Sequence, residues 1–276
     1  NTTRTNLYGK LMNSQEFKCV SVLTDLVENH GLVGVKTSFE DEGASFNDTI
    51  RLKEVCNQSN TKLTIKIGGP EAIRDINDSI IIGVRGIVAP MVESEFGLYK
   101  FIGAVHNNLG SDVISSLQLN INIETVTGIN NASNIINSKE ISSLYGITIG
   151  RVDLVSSLGK DRDYVNSDEV YSMVSRVFSK AKERGLKLCL GGAISLDSSE
   201  FLQKLSSDGL IDKFETRYAI YDASVALSNL PRALSKGQMF EYEWLKHKKE
   251  HYSFLCNKDS QRISMIQDRI NQSIGL

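Results

Sequence analysis

The chain has 276 residues, of which 41% are apolar and 23% charged, and its formal net charge is −2. That length suits one large α/β domain or two small ones, and the composition is that of an ordinary globular protein. No positive field exists to gather phosphates, which excludes nucleic acid as the main partner, and no apolar run approaches the roughly 20 residues of a membrane helix, which excludes a bilayer span.

The opening Asn1-Thr2-Thr3-Arg4 shows no signal-peptide pattern, and a cytoplasmic protein is expected. Cys19, Cys56, Cys189 and Cys256 are widely spaced, form no CxxC pair, and are expected to be reduced, mostly buried thiols.

Residues 17–23 are a candidate first strand, although they fit a helix equally well. A strand is expected at 32–38, then a helix at 48–57 with Ile50, Leu52 and Val55 at helical intervals. A strand at 62–67 is followed, after Pro70, by a helix at 71–83. A strand at 86–90 precedes a helix at 94–105 whose apolar side carries Phe96, Leu98, Phe101 and Ile102. Strands follow at 117–123 and 146–149. The clearest helix is 167–185, with Ser167 as N-cap, an apolar stripe through Val170, Met173, Val174, Val177 and Ala181, and Gly185 as terminator. A strand at 186–190, a helix at 198–209 and a strand at 213–218 complete the series.

Several of these strands are nearly continuous in Val, Ile and Leu, as parallel strands covered on both faces are. About seven β-α units without a break in composition predict a TIM (β/α)8 barrel over 1–230. A doubly wound sheet is the alternative, weakened by the lack of a GxGxxG after the first strand. Residues 231–276 are expected to form a C-terminal helical arm that packs against the barrel or a neighbouring subunit.

A TIM barrel carries its active site at the C-terminal ends of its strands. Four expected strand ends bear polar residues. In Ile121-Asn122-Ile123-Glu124-Thr125, alternation places Asn122 and Glu124 on one side, toward the mouth. A carboxylate there is costly to bury without a cation. The segment GITIGRVDLVSSLG from Gly146 ends its strand in Gly150, Arg151 and Asp153. Carboxylates from two successive strand ends suit a hard divalent cation that keeps some of its waters. Lys66 lies near another strand end, before Gly68 and Gly69, where a ligand can approach the backbone. The fourth end carries Glu40, Asp41 and Glu42, which cannot all stand unpaired together: one is a candidate base, one a candidate holder of a metal-bound water, and the rest are solvated or paired with Lys66 or Arg51. Arg151 and Arg217 are further candidate substrate contacts, the latter with an ion pair to Glu215 or Asp222 as its alternative.

These segments resemble a known family. GITIGRVDLVSSLG is similar to the "IGPxDLsxsLG" segment of the HpcH/HpaI aldolase and citrate lyase β-subunit family, and INIET to its "QIET" strand end. Gly83 to Ser94, GVRGIVAPMVES, resembles its "GaxGixvPmvet" strand, and FEDEGA from Phe39 its "LEDaV". The likeness runs from about Gly31 to Ala193.

It implies an often oligomeric (β/α)8 barrel with Glu124 and Asp153 as Mg²⁺ or Mn²⁺ ligands. Lys66, Glu42, Glu40 and Arg151 are then candidate catalytic groups, and Asn122, Gly68, Gly150 and Arg217 candidate substrate contacts. The implied activity is metal-dependent cleavage or formation of a C–C bond in a small 2-oxo acid. The alternatives are a CoA-thioester lyase of the citrate or malyl-CoA type and a non-catalytic binding barrel.

The chain also departs from the family. The aldolase branch places a His after its first acidic strand end, where Glu42-Gly43 stands here. The family Arg at the enolate oxygen is replaced by Lys66, a point cation without a bidentate fork. The Arg-Ser strand that opens the CoA-using branch is not found.

Overall fold

A computed structural model describes residues 12–274. The expectations for residues 1–11 and 275–276 lie outside the described residues.

Eight strands close into one barrel in sequence order. Helix α1 (Ser14–Asn29) precedes β1 (Leu32–Ser38), α2 (Phe46–Gln58) and β2 (Leu63–Lys66). Next come α3 (Ile73–Ile82), β3 (Gly86–Ala89), α4 (Glu95–Asn108), the short α5 (Ser111–Ser116) and β4 (Gln118–Ile123). They are followed by α6 (Val126–Asn137), β5 (Gly146–Gly150), α7 (Arg151–Ser157), α8 (Asp168–Glu183) and β6 (Lys187–Gly191). Then α9 (Ser199–Ser207), β7 (Lys213–Glu215), β8 (Ala219–Asp222), the single turn α10 (Ala223–Ala226) and α11 (Leu230–Ile274) complete the chain.

The eight-stranded barrel is as expected; of the two readings left open for residues 17–23 the helix is the one adopted, and the last expected strand is divided in two. Residues 17–23 belong to α1, which starts at a full capping box: the Asn13 side chain accepts from the Gln15 and Glu16 amides, and the Glu16 carboxylate accepts from the Asn13 amide. The expected strand 213–218 stops at Glu215. A turn at 216–218 reverses the chain, and β8 runs antiparallel to both β7 and β1 while all other neighbours are parallel. Only four residues, three of them apolar, form β8, too short a signal beside the preceding strand to be separated from it.

Residues that point outward from the strands, such as Val35, Ile65, Ile87, Ile121, Ile147 and Leu190, are completely buried beneath the helices. At about 25 cal/mol per Å² of apolar surface, this layer is the main favourable term of folding. Helix α8 packs Val170, Val174, Val177, Phe178 and Ala181 into it. The Ser167 hydroxyl caps α8 by accepting from the Val170 amide at 3.3 Å, and Gly185 leaves it at φ +73°.

Because β8 descends through the barrel, α11 starts at the bottom and climbs back toward the mouth. Its first half is seated rather than free: Leu230, Ala233, Leu234, Phe240 and Trp244 are buried. Gly237 sits so near Tyr221 that a Cβ would lie 2.1 Å from the phenol oxygen, which donates to the Ala233 carbonyl at 2.9 Å. Residues 231–274, within the expected arm, belong to this one helix, and its described side chains become uniformly exposed only near residue 250. The four cysteines are free thiols, and only Cys256 is exposed. Among the described residues no helix is long and apolar enough to cross a membrane.

Candidate active site

A cavity of about 460 Å³ opens at the C-terminal ends of the strands. Asp41, Lys66, Asn122, Glu124, Gly150, Asp153 and Arg217 all line it, so seven of the residues singled out from the sequence meet in one place.

Glu124 follows β4 and is 3% exposed. Its Oε1 accepts from the Met91 amide at 3.1 Å and its Oε2 from Asn122 Nδ2 at 3.0 Å. Met91 holds φ +53°, a left-handed conformation that is costly for a side chain of its size and that sends its N–H to the carboxylate. Gly150 is required beside it, because a Cβ there would stand 2.6 Å from Glu124 Oε2. Burial pushes the Glu124 carboxyl upward; Lys66, Asn122 and the Met91 amide oppose this, and Asp153 adds to it as a second negative charge. Asp153 sits in the first turn of α7, where the exposed amides favour an acid.

Asn122 is 4% exposed, and its Oδ1 has no hydrogen-bond partner. An orphaned buried carbonyl oxygen is expensive, and it stands beside a carboxylate that burial destabilises. Both deficits fit a hard cation, for which amide and carboxylate oxygens are suitable ligands. Among the described residues no three of His, Cys, Asp and Glu converge as a metal cluster. The oxygens that the cavity offers such an ion are those of Glu124, Asp153 and Asn122, all of which line it.

The other singled-out residues lie elsewhere. Arg151 is completely buried and does not reach the cavity. Its guanidinium donates to the Gly191, Val165 and Gly192 carbonyls, Asn166 Oδ1 and Ser198 Oγ, at 2.7–3.3 Å, and stacks on Phe201. Burial brings its pKa down to about 10. With its donors occupied, Arg151 ties the loop after β6 to α7 instead of touching a ligand. Gly192, at φ +82°, completes that tie, since a Cβ would stand 2.5 Å from the Arg151 amide nitrogen.

The Gly68 amide donates to Asp75 at 2.7 Å, so it is not offered to a substrate. Glu40 is half-exposed on the rim and pairs with Lys66 at 3.4 Å. Glu42 turns away from the cavity: it accepts from Thr37 at 3.0 Å and from Tyr218, and pairs with Arg217 at 3.7 Å. Burial raises its pKa, with Thr37, Tyr218 and Arg217 opposing. Arg217 therefore pairs with Glu42, not with Glu215 or Asp222.

Sequence reasoning missed Lys36, Glu215, the Gly191-Gly192 loop, and Leu234, Gln238 and Glu241 of α11, all of which line the cavity. Lys36 lies in the middle of β1, where the only hint was a cation inside an otherwise uncharged strand. None of His30, His106, His247 and His251 lines the cavity.

Comparison with known structures agrees with the fold. A citrate synthase, SbnG, is 17% identical with a TM-score of 0.57, over 80% of this chain and 89% of that one. An HpcH/HpaI aldolase from Desulfitobacterium hafniense DCB-2 is 13% identical with a TM-score of 0.52, over 67% of this chain and 93% of that one. A search of curated protein sequences gives no match. The sequence profile described as HpcH/HpaI aldolase/citrate lyase matches residues 55–203, more than half of the chain and the part that carries Lys66, Asn122, Glu124 and Asp153. The chain belongs to the HpcH/HpaI aldolase/citrate lyase family.

Proposed function

We propose that this chain is a carbon–carbon lyase that breaks or forms a bond of a small 2-oxo acid with the help of Mg²⁺ or Mn²⁺. The observation that carries this reading is the pair Glu124 and Asp153 on one cavity, with the unpartnered Asn122 oxygen beside Glu124. Glu124, Asp153 and the Asn122 Oδ1 would hold the cation. When bound there it supplies Lewis-acid stabilisation of the charge that develops on the substrate's 2-oxo oxygen.

Lys66 adds a fixed positive charge on the same side, near enough to Glu124 to oppose its raised pKa. Arg217, half-exposed at the rim, is suited to a substrate carboxylate. Exposed Phe254, Ile263, Met265, Ile266 and Ile270 on the outer part of α11 support a homo-oligomer.

The test is calorimetric titration of the metal-free protein with Mg²⁺, and then of the loaded protein with oxalate, a planar mimic of a 2-oxo acid's enolate. Wild type should bind both. Glu124→Gln and Asp153→Asn should each weaken Mg²⁺ by about 100-fold or more, since even residues that only orient metal ligands are worth 10–100-fold. Equal Mg²⁺ affinity in all three proteins would reject the site.

A further inference from the structure

Lys36 and Glu215 form an ion pair inside the barrel, close enough for a hydrogen bond, and both line the cavity. Lys36 lies on β1 two residues below Ser38, the register partner of Lys66, so it stands one inward position deeper than Lys66. Its side chain is 16% exposed and that of Glu215 is 8%. The second Glu215 oxygen accepts from Cys189 Sγ at 3.8 Å.

Glu215 also occupies a defined place opposite Glu124. Gly150 and Gly191 are register partners on β5 and β6. A Cβ on Gly150 would meet Glu124, and one on Gly191 would stand 3.1 Å from Glu215 Oε1. Two bare glycines thus form a floor between the carboxylate that would hold the cation and the carboxylate that holds Lys36.

We propose that Lys36, positioned by Glu215, moves the proton at the hydroxyl or aldehyde oxygen of the second reactant, the group for which the cavity supplies no histidine. This rests on the proposed function above. A paired lysine and carboxylate carry no net charge, so the pair makes a poor receptor for a substrate anion. Among the described residues Lys36 donates only to Glu215, which leaves it N–H groups to offer across the glycine floor.

In cleavage of a 4-hydroxy-2-oxo acid, the neutral amine takes the proton of the C4 hydroxyl. The C3–C4 electron pair moves toward the 2-oxo oxygen as that bond breaks, and the aldehyde departs. C3 then takes a proton from water and Lys36 returns its own to solvent, so the reaction is proton-neutral. Addition runs the same steps in reverse. Burial alone would lower the Lys36 pKa, but Glu215, with Cys189 and Glu42 behind it, outweighs burial and raises it. The amine fraction, and with it cleavage, therefore grows as pH rises toward that raised value.

The test compares wild type, Lys36→Met and Glu215→Gln in two reactions. Oxaloacetate decarboxylation breaks a C–C bond beside a 2-oxo group and has no hydroxyl proton to remove. Aldol addition of pyruvate to glycolaldehyde or glyoxylate, and cleavage of the adduct, require that proton. Lys36→Met should bind Mg²⁺ and decarboxylate oxaloacetate within about threefold of wild type, yet lose 10²–10⁴-fold in the aldol reaction. Glu215→Gln should keep the aldol reaction and move its rising pH limb for cleavage to lower pH, because the charge that raises the lysine is gone.

If Lys36→Met misfolds, Lys36→Met with Glu215→Met removes the unpaired carboxylate and should show the same selective loss. Equal aldol rates in wild type and the lysine variants overturn the proposal, as does parallel loss of both reactions. Decarboxylation by wild type without any aldol activity also overturns it. Absence of Mg²⁺ binding by wild type sinks the underlying reading instead.

Discussion

Glycine 150 shows how one missing methyl group can define a site. Its Cβ position is 2.6 Å from Glu124 Oε2, closer than real carbon atoms approach oxygen, although its backbone needs no left-handed conformation. Gly150→Ala should therefore fold, displace the Glu124 carboxylate and weaken Mg²⁺ binding by about 10–100-fold, the range seen when a ligand's support is lost. Titration calorimetry checks it, and an unchanged affinity would mean that Glu124 does not face the cation from its present position. At this scale the sequence was informative at several strand ends: Lys66, Asn122, Glu124 and Asp153 were readable there as residues that line the cavity. It was misleading for Arg151, because a motif position does not reveal that five neighbouring acceptors will surround a guanidinium. Lys36 was unreadable for the opposite reason, being inside a strand whose partner Glu215 lies 179 positions away.

Between elements, the firmest polar join is at Glu16. It closes the α1 cap, forms two hydrogen bonds to Arg51 of α2 at 2.7 Å and 2.6 Å, and lies 3.6 Å from His247 of α11. Burial alone pushes its carboxyl upward, but Arg51, the Asn13 amide and His247 outweigh burial and hold it below the ordinary carboxylate range. A lowered folded pKa contributes stability that is present above the unfolded value of about 4.3 and is lost as pH falls through the folded one. Glu16→Gln should cost about 2 kcal/mol near pH 7, below the figure for a fully buried pair because Arg51 is partly solvated. The gap to wild type should stay level down to about pH 5 and close below about pH 4. Urea unfolding at several pH values measures it. A gap that widens on acidification would contradict the assignment. The helices themselves were easy to read where caps and stripes agreed, as in α8, and the least readable element was β8, whose sense depends on a turn with no glycine.

On the scale of the whole molecule, the outer part of α11 is mostly solvent-exposed. Tyr252 donates to Asp48 at 2.6 Å, and the described side chains from Ser253 to Ile270 are exposed. A chain ending at Tyr252 should therefore fold and bind Mg²⁺ with the affinity of the full chain, which circular dichroism and calorimetry test together. Loss of binding would show that the distal turns support the mouth. Fold class was readable early because alternation of buried strands with amphipathic helices is a property of the entire sequence, whereas closure by a reversed strand is decided by three turn residues.

That reversal has one further consequence. A standard last β-α unit would return its helix to the flank of the barrel and leave the mouth to loops alone. Here the descending strand delivers a rigid rod that rises beside the opening, and Leu234, Gln238 and Glu241 on it form a wall of the cavity. The groups proposed to do the chemistry thus lie in the first four-fifths of the polymer, while one wall of the cavity comes from a helix that follows the barrel. If the proposed function holds, substitutions along that rod would change the shape of the entrance without touching the groups that would hold the ion.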